Sequence, residues 1–248
     1  MRIIALLIIM VILLVLSNYA QSPERVSMQT FNNPDTERIQ HPDCFDSLRL
    51  GKLGLGRRAY EYAIMGHDYL NKKHMLKDGK ILSIIDFSLP SNKKRLFVID
   101  LKNYKILFVT YVAHGKNSGL DFAFYFSNLA ESNKSSVGFF ATKGIYFGNH
   151  GYSLKLDGFE KGFNDKALER DIVMHSAEYV GENIIKSQGY LGRSLGCPAL
   201  SPDIYLKVIN RIKNGSCLFI YGNDSKYIMN SKVLKQHLEL RQASSFQN

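Results

Sequence analysis

The sequence predicts a mainly β domain with helices at its periphery. Seven short runs rich in Ile, Val, Leu, Phe and Tyr, separated by polar or Gly/Pro-containing turns, are spread between residues 81 and 221. Helical spacing of apolar residues is confined to three stretches, near residues 55–76, 201–213 and the tail from 226. The residues with nucleophilic or acid–base chemistry fall at the ends of the strand-like runs, where loops meet.

In chain order, residues 1–20 open with Met1-Arg2 and an unbroken apolar run from Ile3 to Leu16, followed by Ser17-Asn18-Tyr19-Ala20. One charge, a short apolar core and small residues after it read as a secretory signal peptide. The run is shorter than the ~20 apolar residues a spanning helix needs. Cutting after Ala20 leaves Asn18 where a small residue is preferred, so a retained membrane anchor is the alternative. Either way the chain is expected to be exported to the periplasm or cell envelope. If anchored there, it touches the inner membrane only through this segment.

Residues 21–54 are polar, with Asn33-Pro34-Asp35 and His41-Pro42-Asp43 as turn signals, and read as an irregular lead-in. Leu55, Ala59, Tyr62, Ala63, Tyr69 and Leu70 mark an amphipathic helix ending before Gly79. Strands are expected at Ile81–Phe87, Arg95–Leu101 and Lys105–Ala113, the last two joined as a hairpin through Lys102-Asn103. Further strands are expected at Val137–Thr142, Ser153–Leu156, Ile172–His175 and Cys217–Tyr221. Ser201-Pro202-Asp203 carries the cap, first-turn proline and acidic residue of a helix start, and Asn214-Gly215 the stop. Val233, Leu234, Leu238 and Leu240 suit a helical tail over 223–248, ending in a polar terminus.

With 248 residues and 45% apolar composition, one sizeable core can be filled. The formal charge of +10 is scattered rather than clustered, so no nucleic-acid partner is expected, although an anionic envelope would attract the chain. Cysteine occurs only at 44, 197 and 217; a Cys44–Cys217 bridge and three unbridged thiols are both compatible with this odd count.

Cys197 lies between Gly196 and Pro198, 22 residues after His175 at the end of the apolar run Ile172-Val173-Met174. A thiolate is the reactive form of cysteine, and a histidine within reach takes its proton, so the pair points to acyl transfer. Gly196 permits close approach of a substrate, and the N–H groups of Leu195, Gly196 and Cys197 are candidates for an oxyanion hole. Pro198 has no N–H to offer. The second imidazole nitrogen needs an acceptor, for which the Ser176 carbonyl, Asp171 and Asn164 are candidates. His114, His150 and His175 would be the raw material of a zinc site. No His-Glu-x-x-His or paired-cysteine spacing supports one, so no metal and no cofactor are expected.

The runs Ile172-Val173-Met174-His175-Ser176-Ala177 and Arg193-Ser194-Leu195-Gly196-Cys197-Pro198 resemble the active-site signature of the L,D-transpeptidases. These are the YkuD-like cysteine enzymes of peptidoglycan, and the likeness is to their divergent murein branch. It extends in order through Ile84-Ile85-Asp86-Phe87-Ser88, Arg95-Leu96-Phe97-Val98-Ile99-Asp100, Ala113-His114-Gly115, Phe126-Ser127-Asn128, Ser135-Ser136-Val137-Gly138 and Gly148-Asn149-His150-Gly151-Tyr152. It covers roughly residues 55–222.

The resemblance implies a YkuD-like β-sandwich catalytic domain in which Cys197 is acylated, His175 is its base and the Ser176 carbonyl orients the ring. By the same resemblance, amides around Gly196 and Cys197 hold the oxyanion. It also implies peptidoglycan stem peptides as donors, with a second stem or a wall-attached protein as acceptor. Common members carry Arg or Asn two residues after the cysteine, where this chain has Ala199, so Arg193 is the nearest substitute for a carboxylate-binding arginine. Ser194, Tyr146, His114 and His150 are the other candidates for lining the substrate cleft. An L,D-carboxypeptidase using the same dyad and a non-catalytic wall-binding module are the alternative functions.

Overall fold

The computed structural model describes residues 44–149 and 151–236. The leader, the first part of the lead-in, His150, Leu238 and Leu240 lie outside the described residues. The helices are α1 (Cys44–Ser47), α2 (Arg57–Lys72), α3 (Glu182–Gln188), α4 (Tyr205–Ile212) and α5 (Ser225–Asn230). The strands are β1 (Asp78–Asp86), β2 (Leu96–Asp100), β3 (Lys105–Thr110), β4 (Gly138–Gly148), β5 (Gly151–Gly158), β6 (Val173–Ser176), β7 (Ala199–Leu200) and β8 (Ser216–Tyr221).

The strands form one mixed sheet in the order β3-β2-β1-β8-β4-β5-β6-β7. Only β1 with β8 and β6 with β7 run parallel. Beyond the end of β3, Ala113 bridges to Ala199 in β7, its N–H donating to the Ala199 carbonyl at 2.9 Å. The sheet therefore curls until its two ends meet.

Both faces of the central strands are covered, which is why β1, β2 and β8 read as near-continuous apolar runs. Ile81, Ile85, Leu96, Val98, Phe140, Leu154, Leu156, Met174, Leu200, Leu218 and Ile220 point into one cluster spanning seven strands, the concave side of the curl. Helix α4 adds Val208, Ile209 and Ile212 to it. The alternate residues, Leu82, Ile84, Phe97, Ile99, Phe139, Cys217 and Phe219, join a second cluster under α2.

Helix α2 crosses the sheet closely at Gly66, where an added Cβ would sit 2.0 Å from the Phe139 ring. Alanine gains about 1 kcal/mol of helix propensity over glycine. Overpacking costs about 1–3 kcal/mol and should win. Gly66→Ala is thus expected to lower stability to chemical denaturation, and an unchanged or raised midpoint would show that Phe139 yields.

Several elements differ from the sequence-based expectation. Cys44 to Leu53, expected to be irregular, forms α1 and a 3-10 turn (Leu50–Leu53), with Cys44, Phe45 and Leu50 buried in the cluster under α2. A segment this short gives no periodic signal. Ser201 does not cap α4; residues 201–204 form a turn whose Ser201 carbonyl accepts from Tyr205, and the helix begins there. The stop at Asn214 and Gly215 is as read, both at positive φ (71° and 106°). Cys44 and Cys217 are fully buried thiols, not a disulfide.

The described part of the tail, residues 223–236, packs onto the domain. Asp224 caps α5 by accepting from the Tyr227 N–H, residues 232–236 are again helical, and Tyr227, Val233 and Leu234 are buried with the α2 cluster.

Candidate active site

The parallel pair β6–β7 sets His175 opposite Ala199, and the His175 N–H donates to the Pro198 carbonyl at 3.3 Å. Cys197 stands two residues before Ala199. Its Sγ accepts from the Val173 N–H at 3.4 Å and donates to the Asp171 carbonyl at 3.6 Å. Nucleophile candidate and histidine are thus carried on adjoining segments. The His175 Nδ1 lies 2.8 Å from the Ser176 carbonyl. A carbonyl only accepts, so Nδ1 carries the proton and Nε2 is the basic nitrogen of the neutral ring.

The loop before β7 is stitched from both sides. Ser194 N–H donates to the His114 carbonyl, and Ser135 Oγ donates to the Gly196 carbonyl at 3.0 Å while accepting from the Gly115 N–H. Gly196 has φ 129°, and a Cβ there would lie 2.9 Å from the Lys134 carbonyl. Gly196→Ala is therefore strained both in backbone and in space. It should cut turnover at least about tenfold, by displacing Cys197, with a much smaller effect on the melting temperature.

The Gly196 N–H is already used: it donates to Ser194 Oγ at 3.0 Å, and that hydroxyl donates on to the Cys197 carbonyl at 2.6 Å. Ser194, expected in the cleft, serves the loop's own geometry. Among the described residues the Leu195 and Cys197 N–H groups donate to nothing within the chain. They are the unengaged amides of this loop.

The other expected site residues differ in where their side chains lie. His114 is fully buried, not in the cleft: Arg95 Nη2 donates to its Nδ1 at 2.7 Å and its Nε2 faces the Gly119 carbonyl at 3.3 Å. Burial, reinforced by the Arg95 charge, pushes His114 down to about 4, so it is neutral at physiological pH. Arg193 is exposed beside the Gly196-Cys197 loop, its Nη1 reaching the Gly119 carbonyl at 3.3 Å. Tyr146 lies on β4 with the Lys155 ammonium 5.3 Å from its ring centre, and Lys155 pairs with Val173 on β6. Among the described residues no group of three or more His, Cys, Asp or Glu converges to hold a metal ion.

Arg170 and Tyr179 were not singled out from sequence, and Asp171 only as an acceptor for the imidazole, yet Arg170 and Asp171 act on Cys197 and Tyr179 responds to it. Burial pushes the Cys197 thiol up, the Val173 N–H and the Arg170 charge pull it down, and the Asp171 charge opposes them. Burial, and to a lesser degree Cys197, pushes Tyr179 up to about 12. Burial, the largest of these effects, leaves the protonated thiol favoured.

Residues 52–221 match the YkuD_2 family model, described as an L,D-transpeptidase catalytic domain. The chain belongs to this family. As a YkuD_2 domain it carries the fold of the family, an eight-stranded mixed curled sheet with few helices. It is similar to an L,D-transpeptidase from Mycobacterium smegmatis at 15% identity and TM-score 0.37, covering 58% of this chain and 59% of that one. A second likeness is to the helical cell shape determining protein Pgp2 from Campylobacter jejuni, at 12% identity and TM-score 0.43, covering 78% and 64%. A third is to an L,D-transpeptidase from Stackebrandtia nassauensis, at 16% identity and TM-score 0.35, covering 66% and 68%. The chain spans about three fifths of the length of the first solved structures it matches. No curated protein matches the sequence. Among the described residues no helix is long and apolar enough to cross a membrane.

Proposed function

We propose that this YkuD_2 domain is an exported peptidoglycan L,D-transpeptidase working through a Cys197 thioester. The observation that carries the reading is the β6–β7 pairing, which brings the Cys197 segment alongside a His175 whose Nδ1 is fixed on the Ser176 carbonyl. His175 Nε2 takes the thiol proton as Sγ attacks the carbonyl of an L-residue joined to a D-residue in a donor stem. The tetrahedral oxyanion rests on the Leu195 and Cys197 amides. The C–N bond breaks, the amine leaves with the proton from His175, and the C–S bond remains as thioester. An acceptor amine, deprotonated by His175, attacks the thioester and restores the thiol.

Water in place of the amine gives L,D-carboxypeptidase products from the same intermediate, and exclusion of water by the surrounding loops decides between them. The test is to incubate the purified protein with tetrapeptide-stem muropeptides, with and without an acceptor stem, and to separate the products by mass. Cross-linked dimers are the expected result. Trimmed stems alone would make it a hydrolase, and unchanged substrate from a folded protein with a reactive thiol would overturn the reading.

A further inference from the structure

Arg170 lies outside the motifs around Cys197 and His175, yet it joins two parts of their surroundings. Its Nη1 donates to the Ser127 carbonyl at 2.8 Å and to Ser136 Oγ at 2.6 Å. Its Nη2 donates to the Lys134 carbonyl at 3.0 Å and to Ser132 Oγ at 3.3 Å. All four acceptors belong to the segment that leads into β4. Gly196 rests on that same segment, against the Lys134 carbonyl and under the Ser135 hydroxyl.

In the other direction, Arg170 is followed at once by Asp171, a non-glycine residue at φ 51°. Such residues are uncommon and mark turns or sites where geometry matters. Beyond this turn, the Asp171 carbonyl and the Val173 N–H both meet the Cys197 sulfur. One guanidinium thus ties the support of the Gly196 loop to the segment that receives the nucleophile.

We propose that Arg170 is a positioning residue for Cys197, holding residues 127–136 against the nucleophile loop and placing a fixed positive charge beside the thiolate. The charge opposes the effect of burial on the thiol. The other titratable groups on the segments around the sulfur are His175 on β6, Asp171 in the preceding turn and Tyr179 after β6, while Lys155 on β5, the ladder partner of Val173, holds its ammonium over the Tyr146 ring. Tyr179, pushed up to about 12, stays neutral while the sulfur ionises. Arg170 is the cation among them that is locked by four hydrogen bonds.

The inference concerns the thiol itself and stands whether or not peptidoglycan is the substrate. Its test is the pH dependence of iodoacetamide alkylation at Cys197, located by peptide mass, in the full chain and in Arg170→Lys, Arg170→Gln and Arg170→Met. Melting curves would identify which variants fold. Loss of a partly buried opposite charge should raise the alkylation midpoint by about one pH unit, slowing the reaction about tenfold below it. Arg170→Lys, which keeps the charge, should stay near wild type. In wild type itself, the midpoint should rise by a few tenths of a unit between about 0.01 M and about 1 M salt as screening strengthens. A folded neutral variant with the wild-type midpoint would overturn the proposal. If neither neutral variant folds, a wild-type midpoint insensitive to salt would do so.

Discussion

Replacing Cys197 with alanine is expected to abolish product formation, a loss of at least about 1,000-fold measured by chromatography of muropeptides. No other cysteine can substitute. Cys44 and Cys217 are fully buried, and burial pushes the Cys217 thiol far up. His175→Ala should cost about 100- to 10,000-fold, and its pH dependence carries the more specific information. Burial holds the Cys197 thiol above its ordinary range, so near neutral pH little of it is ionised without a base. With His175 gone, the residual rate should climb as pH rises toward the thiol's own ionisation. Wild type, supplied with a base, should already be active at neutral pH. A His175→Ala rate that is flat with pH would show that proton removal from sulfur is not what the histidine provides.

The second large effect is on stability. Glu160 is 3% exposed, and its carboxylate accepts from the Phe139 N–H at 3.0 Å, the Tyr227 hydroxyl at 2.8 Å and the Ser231 hydroxyl. Its own N–H donates to Asn164 Oδ1, and Asn164 Nδ2 donates to the Val137 and Phe139 carbonyls. This knot fastens α5 and the residues after it to the start of β4. Glu160→Ala would leave several buried donors without acceptors, a cost of about 3–5 kcal/mol in denaturant unfolding. Glu160→Gln keeps the shape and one acceptor oxygen and should cost less, about 1–3 kcal/mol.

The pH dependence has a definite sign. Burial raises the Glu160 carboxyl above its ordinary value despite the hydrogen bonds that favour its ionised form. A raised folded-state value gives stability that is present below the unfolded-state value of about 4.5 and is lost as pH rises through the folded one. The advantage of wild type over Glu160→Gln should therefore be larger near pH 4 than near pH 7. A gap that widens toward neutral pH would contradict this.

How much of this was legible depended on whether a feature is local. The strands β1, β2 and β8 were visible because both faces are buried, which leaves an uninterrupted apolar run. The proposed roles of Cys197, Gly196 and His175 could be read from sequence because these residues sit in two short motifs. Strand β7 was not, since two residues after a proline carry no pattern and its pairing comes from distant segments.

Arg170 and Tyr179 were silent because a turn at positive φ and tertiary packing bring them to the sulfur, not any spacing along the chain. His114 was misplaced for the opposite reason. Beside Gly115 it had the appearance of a loop histidine, while its buried partner Arg95 stands at the head of β2. A lone arginine opening an apolar strand was the available hint. The C-terminal residues read as a helix, but their attachment through Glu160 depends on a carboxylate more than 60 positions upstream.

The proposed mechanism requires a covalent acyl–sulfur bond at Cys197. It is tested most directly by acid-quenching the protein seconds after mixing with a tetrapeptide-stem donor, without acceptor, and mapping the modified peptide by mass spectrometry. A donor acyl group, less its D-residue, is expected on the peptide that contains Cys197. The adduct should be labile to hydroxylamine and lacking in Cys197→Ala. Product formed with no adduct on Cys197 under conditions that trap an intermediate elsewhere in the chain, or an adduct that persists in Cys197→Ala, would contradict it.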